Sequence, residues 1–338
     1  MSLEGDFTTF PSYTRFTKTV KRTLIGFAVF LGVYVLSSLL LSLLIQLFVP
    51  SWVEQNWFVW FMSIVPLYFV AFPCLLLLVR KAPATIIKKA KLSPLHFLLL
   101  IPVTFTLLIA GSIAGNIVMA LLEVFLPAIS TENGVETMLG GGQWLYAIIL
   151  TVVIAPIMEE LVFRKILLDR VHPMGEGVSI LLSGLLFGLM HGNFYQFFYA
   201  TALGFLLAYI YLKTGKLRYC ILLHFIVNLF CGIISSLYAE KLLVFTEQVE
   251  QAGEQMTPEL MSSLFTVWQA ISYVISEYYL AIMGVVVFCL IAKKLFRSIS
   301  PSPLSFGQQC KLAFFNIGTG LFALIAMGLF VLNLLPIA

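Results

Sequence analysis

The chain has 338 residues, 60% of them apolar and 11% charged, with a net charge of +4 and a pI near 8.7. Soluble domains carry about a quarter charged residues, so this composition excludes an ordinary soluble protein and leaves a polytopic membrane protein. The positions of the charges explain the small positive balance better than a nucleic-acid partner does.

Apolar runs of about 20 residues read as spanning helices rather than barrel strands, which need only about ten. They fall at roughly Thr23–Val49, Trp57–Val79, Leu95–Phe125, Trp144–Phe163, Val178–Met190, Phe197–Leu212, Tyr219–Tyr238, Trp268–Ile291 and Leu312–Ile337. The fifth and sixth are short, so the all-α fold is expected to have eight or nine spans. The chain divides into a hydrophilic tail (1–22), three helices (23–142), a core of helices four to seven (143–238), a loop (239–267) and two final helices (268–338). The apolar and acidic spacing of that loop, with Glu240, Glu247, Glu250, Glu254 and Glu259, suits amphipathic helices at the interface.

Lysine and arginine give an independent check. The tail and the even-numbered connections hold 19 of the 20 basic residues, and only Lys241 lies in an odd one. Basic residues concentrate in cytoplasmic connections, so the N-terminus is expected in the cytoplasm and, with nine spans, the C-terminus outside. The first 22 residues are hydrophilic and the next run is too long for a signal-peptide core, so no cleavable signal is expected. The last residues contain no cysteine, so the chain is not expected to be prenylated itself. The five cysteines show no paired spacing and read as small buried apolar residues.

Three pieces of the core place ionisable groups inside apolar helices, where they are costly and so functional by default. In Met158-Glu159-Glu160-Leu161-Val162-Phe163-Arg164, the adjacent carboxylates point about 100° apart and cannot share one task. Glu160 and Arg164, at i and i+4, suit an ion pair near the cytoplasmic end of the span. Glu159 then faces the bundle interior, about 7.5 Å below the charged rim, where it could act as a general base. His191 closes the fifth helix, in Phe187-Gly188-Leu189-Met190-His191. His224 and Asn228 are again i and i+4 and can donate to one point. A carboxylate, two imidazoles and an amide from three helices form a set able to hydrolyse an amide. In it Glu159 and His191 would hold and deprotonate water, and His224 and Asn228 would stabilise the oxyanion. His96, His172, Glu123 and Glu277 receive no role, the two glutamates lying near external helix ends.

These motifs, Glu-Glu-x-x-x-Arg at Glu159, Glu160 and Arg164, Phe-x-x-x-His at Phe187 and His191, and His-x-x-x-Asn at His224 and Asn228, resemble the CPBP intramembrane proteases. That family includes the CAAX prenyl endopeptidases and the bacterial Abi or bacteriocin-processing proteins. The resemblance covers roughly Trp144–Tyr238. It implies a site facing the cytoplasm, a glutamate-activated water with Glu159 as base and His191 as its partner, and an oxyanion hole of His224 and Asn228. Glu160, Arg164 and Phe187 would support it.

No cofactor is expected. Were zinc used, Glu159, His191 and His224 would be its ligands, but no His-Glu-x-x-His pairing is present. The expected partners are membrane lipids and a membrane-associated or lipidated peptide, in a prokaryotic plasma membrane. The competing readings are a scaffold or bacteriocin-immunity protein that binds a partner through the same cavity, and an ion-coupled transporter. The lack of repeat symmetry argues against the last.

Overall fold

The computed structural model describes residues 13–55, 57–130, 144–252, 258–297, 299–300 and 302–335. These are helical, with α1 at Tyr13–Phe48, α2 at Phe58–Val79, α3 at Pro94–Phe125, α4 at Leu145–Met174 and α5 at Glu176–Met190. Then follow α6 at Phe194–Thr214, α7 at Leu217–Gln251, α8 at Pro258–Arg297, the short α9 at Phe306–Ala313 and α10 at Ile317–Leu334. Among the described residues, eight helices are long and apolar enough to cross a membrane, and α5, at 15 residues, is the short one. The chain is an integral, multi-pass, all-α membrane protein. Glu254 lies outside the described residues.

Several boundaries differ from the sequence reading, mainly because charge was taken for a helix end: α1 begins at Tyr13, inside the stretch read as a tail, and α8 runs from Pro258 to Arg297 rather than from Trp268 to Ile291. The fourth helix does not stop at Phe163 but runs to Met174. Arg164 is neutralised by Glu160 one turn back, and Lys165 lies 2.6 Å from Asp169 one turn on, so the chain stays helical through its basic stretch. The acidic segment after Tyr238 is likewise no separate interfacial helix. It continues α7, which stays helical through Gln251, with no glycine or proline after Gly232 to stop it.

Small residues set how closely the core helices approach. A Cβ added to Gly204 would fall 2.7 Å from the Gly184 Cα, and one on Gly188 would fall 2.8 Å from the Phe197 carbonyl, so α5 and α6 touch backbone to backbone. A Cβ on Gly111 would lie 2.4 Å from the Tyr199 Cα, which brings α3 equally near to α6. The α4–α5 turn needs Gly175, whose φ of 143° an L side chain rarely adopts.

The ends of the helices sort cleanly. On one face, Thr85 donates to the Asp169 carbonyl, the Ala90 amide to the Thr214 carbonyl and Ser302 to the Met174 carbonyl. Lys213 pairs with Glu176, whose carboxylate also accepts from the Ser300 amide. This face gathers the basic connections. On the other face the Ser130 amide donates to the Leu334 carbonyl, and Phe194 stacks edge-on to Phe330 with ring centroids 4.7 Å apart.

The cysteines are all free, but not uniformly buried: Cys220 is buried, Cys74, Cys231 and Cys310 are half-buried, and Cys289 is exposed. His172 sits in the last turn of α4 and holds the Leu168 carbonyl at 2.9 Å. His96 is exposed in the first turn of α3. Glu277 is not near a helix end. It lies 19 residues into α8 and accepts from Tyr273 at 2.7 Å and Ser235 at 3.2 Å, which ties α8 to α7.

Candidate active site

Helix length accounts for the meeting of Glu159 and His191. Glu159 precedes the end of α4 at Met174 by 15 residues, and His191 follows the start of α5 at Glu176 by 15. The tight turn through Gly175 folds the two helices back on each other, so both residues arrive at one level. Glu159 stands roughly 22 Å along the axis from the end of α4, near the middle of the helix rather than at its rim.

Phe187 organises the imidazoles. Its ring centroid is 5.0 Å from His191 and 5.8 Å from His224, edge-on to both, and 5.3 Å from Phe163 behind it. The Arg164 guanidinium carbon sits 4.9 Å over the same ring. Phe187 is 1% exposed, so the ring is a fixed wall against which the polar groups are aligned.

Glu160 and Arg164 form the ion pair read from their spacing, but not at a rim: both are 0% exposed. Arg164 Nε lies 3.0 Å from Glu160 Oε2, a charge contact rather than an aligned hydrogen bond. The other Glu160 oxygen lies 3.0 Å from His224 Nδ1. A carboxylate oxygen accepts, so in this contact Nδ1–H is the donor. That contact was invisible in the sequence, where 64 residues separate the two. His224 Nε2 then points at Glu159, 3.7 Å from its Oε2. His191 Nδ1 donates to the Phe187 carbonyl at 2.8 Å, which leaves its Nε2 as the free ring nitrogen.

Asn228 lines the same space, yet its Nδ2 already donates to the Thr151 carbonyl at 2.7 Å. Residues Ile148–Ile154 form a wide π-helical stretch, in which the Ala155 amide reaches back to Leu150. The Thr151 carbonyl would then need the amide of residue 156, which is proline and has none. Asn228 supplies the missing donor, and its second N–H remains for the cavity. A proline three residues before a glutamate was the only sequence signal for this bond.

Glu159, His191, His224 and Asn228 all line one cavity of about 580 Å³. Its walls continue through Ser112, Asn116, Asn193, Gln196, Tyr199 and Ser235, none of which the motifs name. Among the described residues no group of three or more His, Cys, Asp or Glu side chains is gathered so as to hold a metal ion.

The fourth, fifth and seventh helices of the bundle thus gather a carboxylate, two imidazoles and an amide around one internal cavity. Residues 141–230 match the family described as "Type II CAAX prenyl endopeptidase Rce1-like", so the resemblance carried by the three motifs is borne out over that stretch. The chain is 31% identical over 88 residues to a Bacillus subtilis (strain 168) protein named "Putative membrane peptidase YdiL", covering 26% of this chain and 36% of that one. It is 35% identical over 157 residues to an uncharacterized protein of Mycoplasma capricolum subsp. capricolum, covering 41% of this chain and 46% of that one. The chain thus spans less than half the length of either bacterial relative. No solved structure matches.

Proposed function

We propose that the protein is an intramembrane endopeptidase of the glutamic type, hydrolysing a peptide bond in a membrane-associated chain, such as a lipidated peptide or the leader of an exported one. The observation that carries this reading is the convergence of Glu159, His191, His224 and Asn228 on one cavity inside the bundle.

Glu159 and the free Nε2 of His191 hold a water and accept its proton as it attacks the substrate carbonyl. The developing oxyanion takes hydrogen bonds from the second N–H of Asn228 and from Nε2–H of His224. For His224 to donate there while Nδ1–H is held by Glu160, the ring must be an imidazolium. The local charges permit that: Glu159 and Glu160 balance Arg164 and the protonated ring, leaving no net buried charge, the condition under which buried ions are tolerated. Glu159 then passes its proton to the leaving amine, which breaks the C–N bond. Glu160 and Arg164 lie outside the cavity lining and Phe187 forms part of its wall; together they orient His224 and His191.

The resemblance to the CAAX endopeptidases supports this assignment and puts the scissile bond near the cytoplasmic face, an orientation that the course of the cavity does not favour. Reconstituted protein offered a library of membrane-anchored peptides, with and without chelator, tests the reading. Cleavage that survives chelation supports it, and cleavage lost with the chelator and restored by zinc contradicts the metal-free mechanism.

A further inference from the structure

The cavity is not symmetric across the bundle. From Glu159 and His224 toward the basic face, the helices are packed shut: Phe163, Leu167, Leu186, Leu207, Cys220 and Leu223 are each 1% exposed or less. No residue of the basic connections at 80–93, 169–176, 213–219 or 299–316 lines the cavity. Its lining runs the other way. On α7 it follows one stripe, Asn228, Cys231, Gly232, Ser235, Ser236 and Ala239, for 11 residues or roughly 16 Å. It includes Asn193 in the α5–α6 turn and Asn333 in the last turn of α10, both at the face opposite the basic one, and it ends at exposed Ala239.

Basic connections mark the cytoplasmic side of a membrane protein, and here the connections on this face carry ten of the 20 lysines and arginines, while those on the opposite face carry only Lys241. We infer that the cavity opens to the extracytoplasmic face. The substrate is then a membrane-anchored polypeptide that presents its scissile bond from outside and descends along α7 to Glu159. This deepens the peptidase reading and rests on it for the chemistry, though not for the direction of opening. The polar groups along the route, Ser112, Asn116, Thr151, Gln196, Tyr199 and Ser235, suit an extended backbone, whose amides and carbonyls need partners once out of water. The alternative, entry from the cytoplasm, would require a path through the packed layer below Phe163 and Leu223.

Cysteine accessibility tests the direction without any need for activity. In full-length protein with its five native cysteines replaced by alanine, Ala239→Cys reports the cavity mouth and Lys89→Cys the basic face. Lys241→Cys and Lys88→Cys serve as a second pair should either variant fail to fold. In intact cells a membrane-impermeant maleimide should label Ala239→Cys (or Lys241→Cys) as fully as after lysis. It should label Lys89→Cys (or Lys88→Cys) only after lysis. The reverse pattern overturns the inference. A companion assay uses a single-span reporter with the cleavable segment on either side of the membrane and Glu159→Gln as the inactive control. Cleavage restricted to the outward segment supports the inference, and cleavage restricted to the inward one overturns it. If neither is cut, the peptidase reading fails, while the labelling still decides the direction of the opening.

Discussion

Glu160 and His224 lie 3.0 Å apart, carboxylate to Nδ1, and both are buried. The adjacent Glu159 meets the other ring nitrogen at 3.7 Å. Two consecutive glutamates thus address opposite ends of one imidazole, one orienting it and the other sharing its working edge. This follows from the 100° between neighbours on a helix, which places the second carboxylate behind the first rather than beside it.

The orienting role predicts a loss that charge removal alone produces. Glu160→Gln keeps the shape but no longer holds Nδ1–H against a charge, so kcat should fall with KM little changed. A Glu160→Gln enzyme with unaltered kcat would contradict the assignment.

Removing one partner of a fully buried pair leaves an uncompensated charge, at a cost of about 3–5 kcal/mol. Arg164→Met should therefore lower the thermal midpoint in detergent sharply. Combining it with Glu160→Leu should recover much of that stability while activity stays lost. Equal stability of wild type and Arg164→Met would show that the pair is not buried as described.

Asn228 has two tasks. Asn228→Ala should cost about 2.7–4 kcal/mol in the barrier through the lost oxyanion donor. It should also lose about 1 kcal/mol of stability, because the Thr151 carbonyl then has no donor. Thermal unfolding and kcat measured on the same preparation separate the two effects. Pro156→Ala supplies the amide that residue 151 lacks, and should soften the stability loss of Asn228→Ala without restoring its kcat.

The close approach of α5 and α6 sets a packing limit. Gly204→Leu places a side chain where the Gly184 backbone stands 2.7 Å from the first added carbon, so the helices must separate and His191 must leave the level of Glu159. Reduced stability and activity together are expected. Gly307, where an added Cβ meets nothing, should accept the same substitution with neither effect.

Much of the site was legible in the sequence, because its parts are local patterns. Glu160 with Arg164 and His224 with Asn228 sit one helical turn apart, and Phe187 with His191 another, so each motif declares its face without tertiary knowledge. The three-helix convergence was read from the oddity of ionisable groups in apolar runs. What failed was the reading of charge as a helix end. Arg164, Lys165 and Arg170 look like a cytoplasmic rim until one sees that Glu160 and Asp169 neutralise the first two within the helix, while Arg170 turns back to the Ala82 and Ile166 carbonyls. The same habit cut α7 short at its acidic stretch. The Glu160–His224 and Asn228–Thr151 bonds link residues 64 and 77 positions apart, and no spacing rule reaches that far. The role of Glu277 in tying α8 to α7 was missed for the same reason.

The central claim is that Glu159 and His191 together activate the attacking water. It is tested most directly by the turnover of a membrane-anchored peptide by purified, reconstituted wild-type protein beside Glu159→Gln, His191→Ala and the double variant, each shown to be folded. General acid–base groups contribute about 10²–10⁴-fold, so each single variant should lose at least the lower figure, and the double variant little more than the worse single one. A folded double variant that cleaves as fast as wild type would contradict the claim.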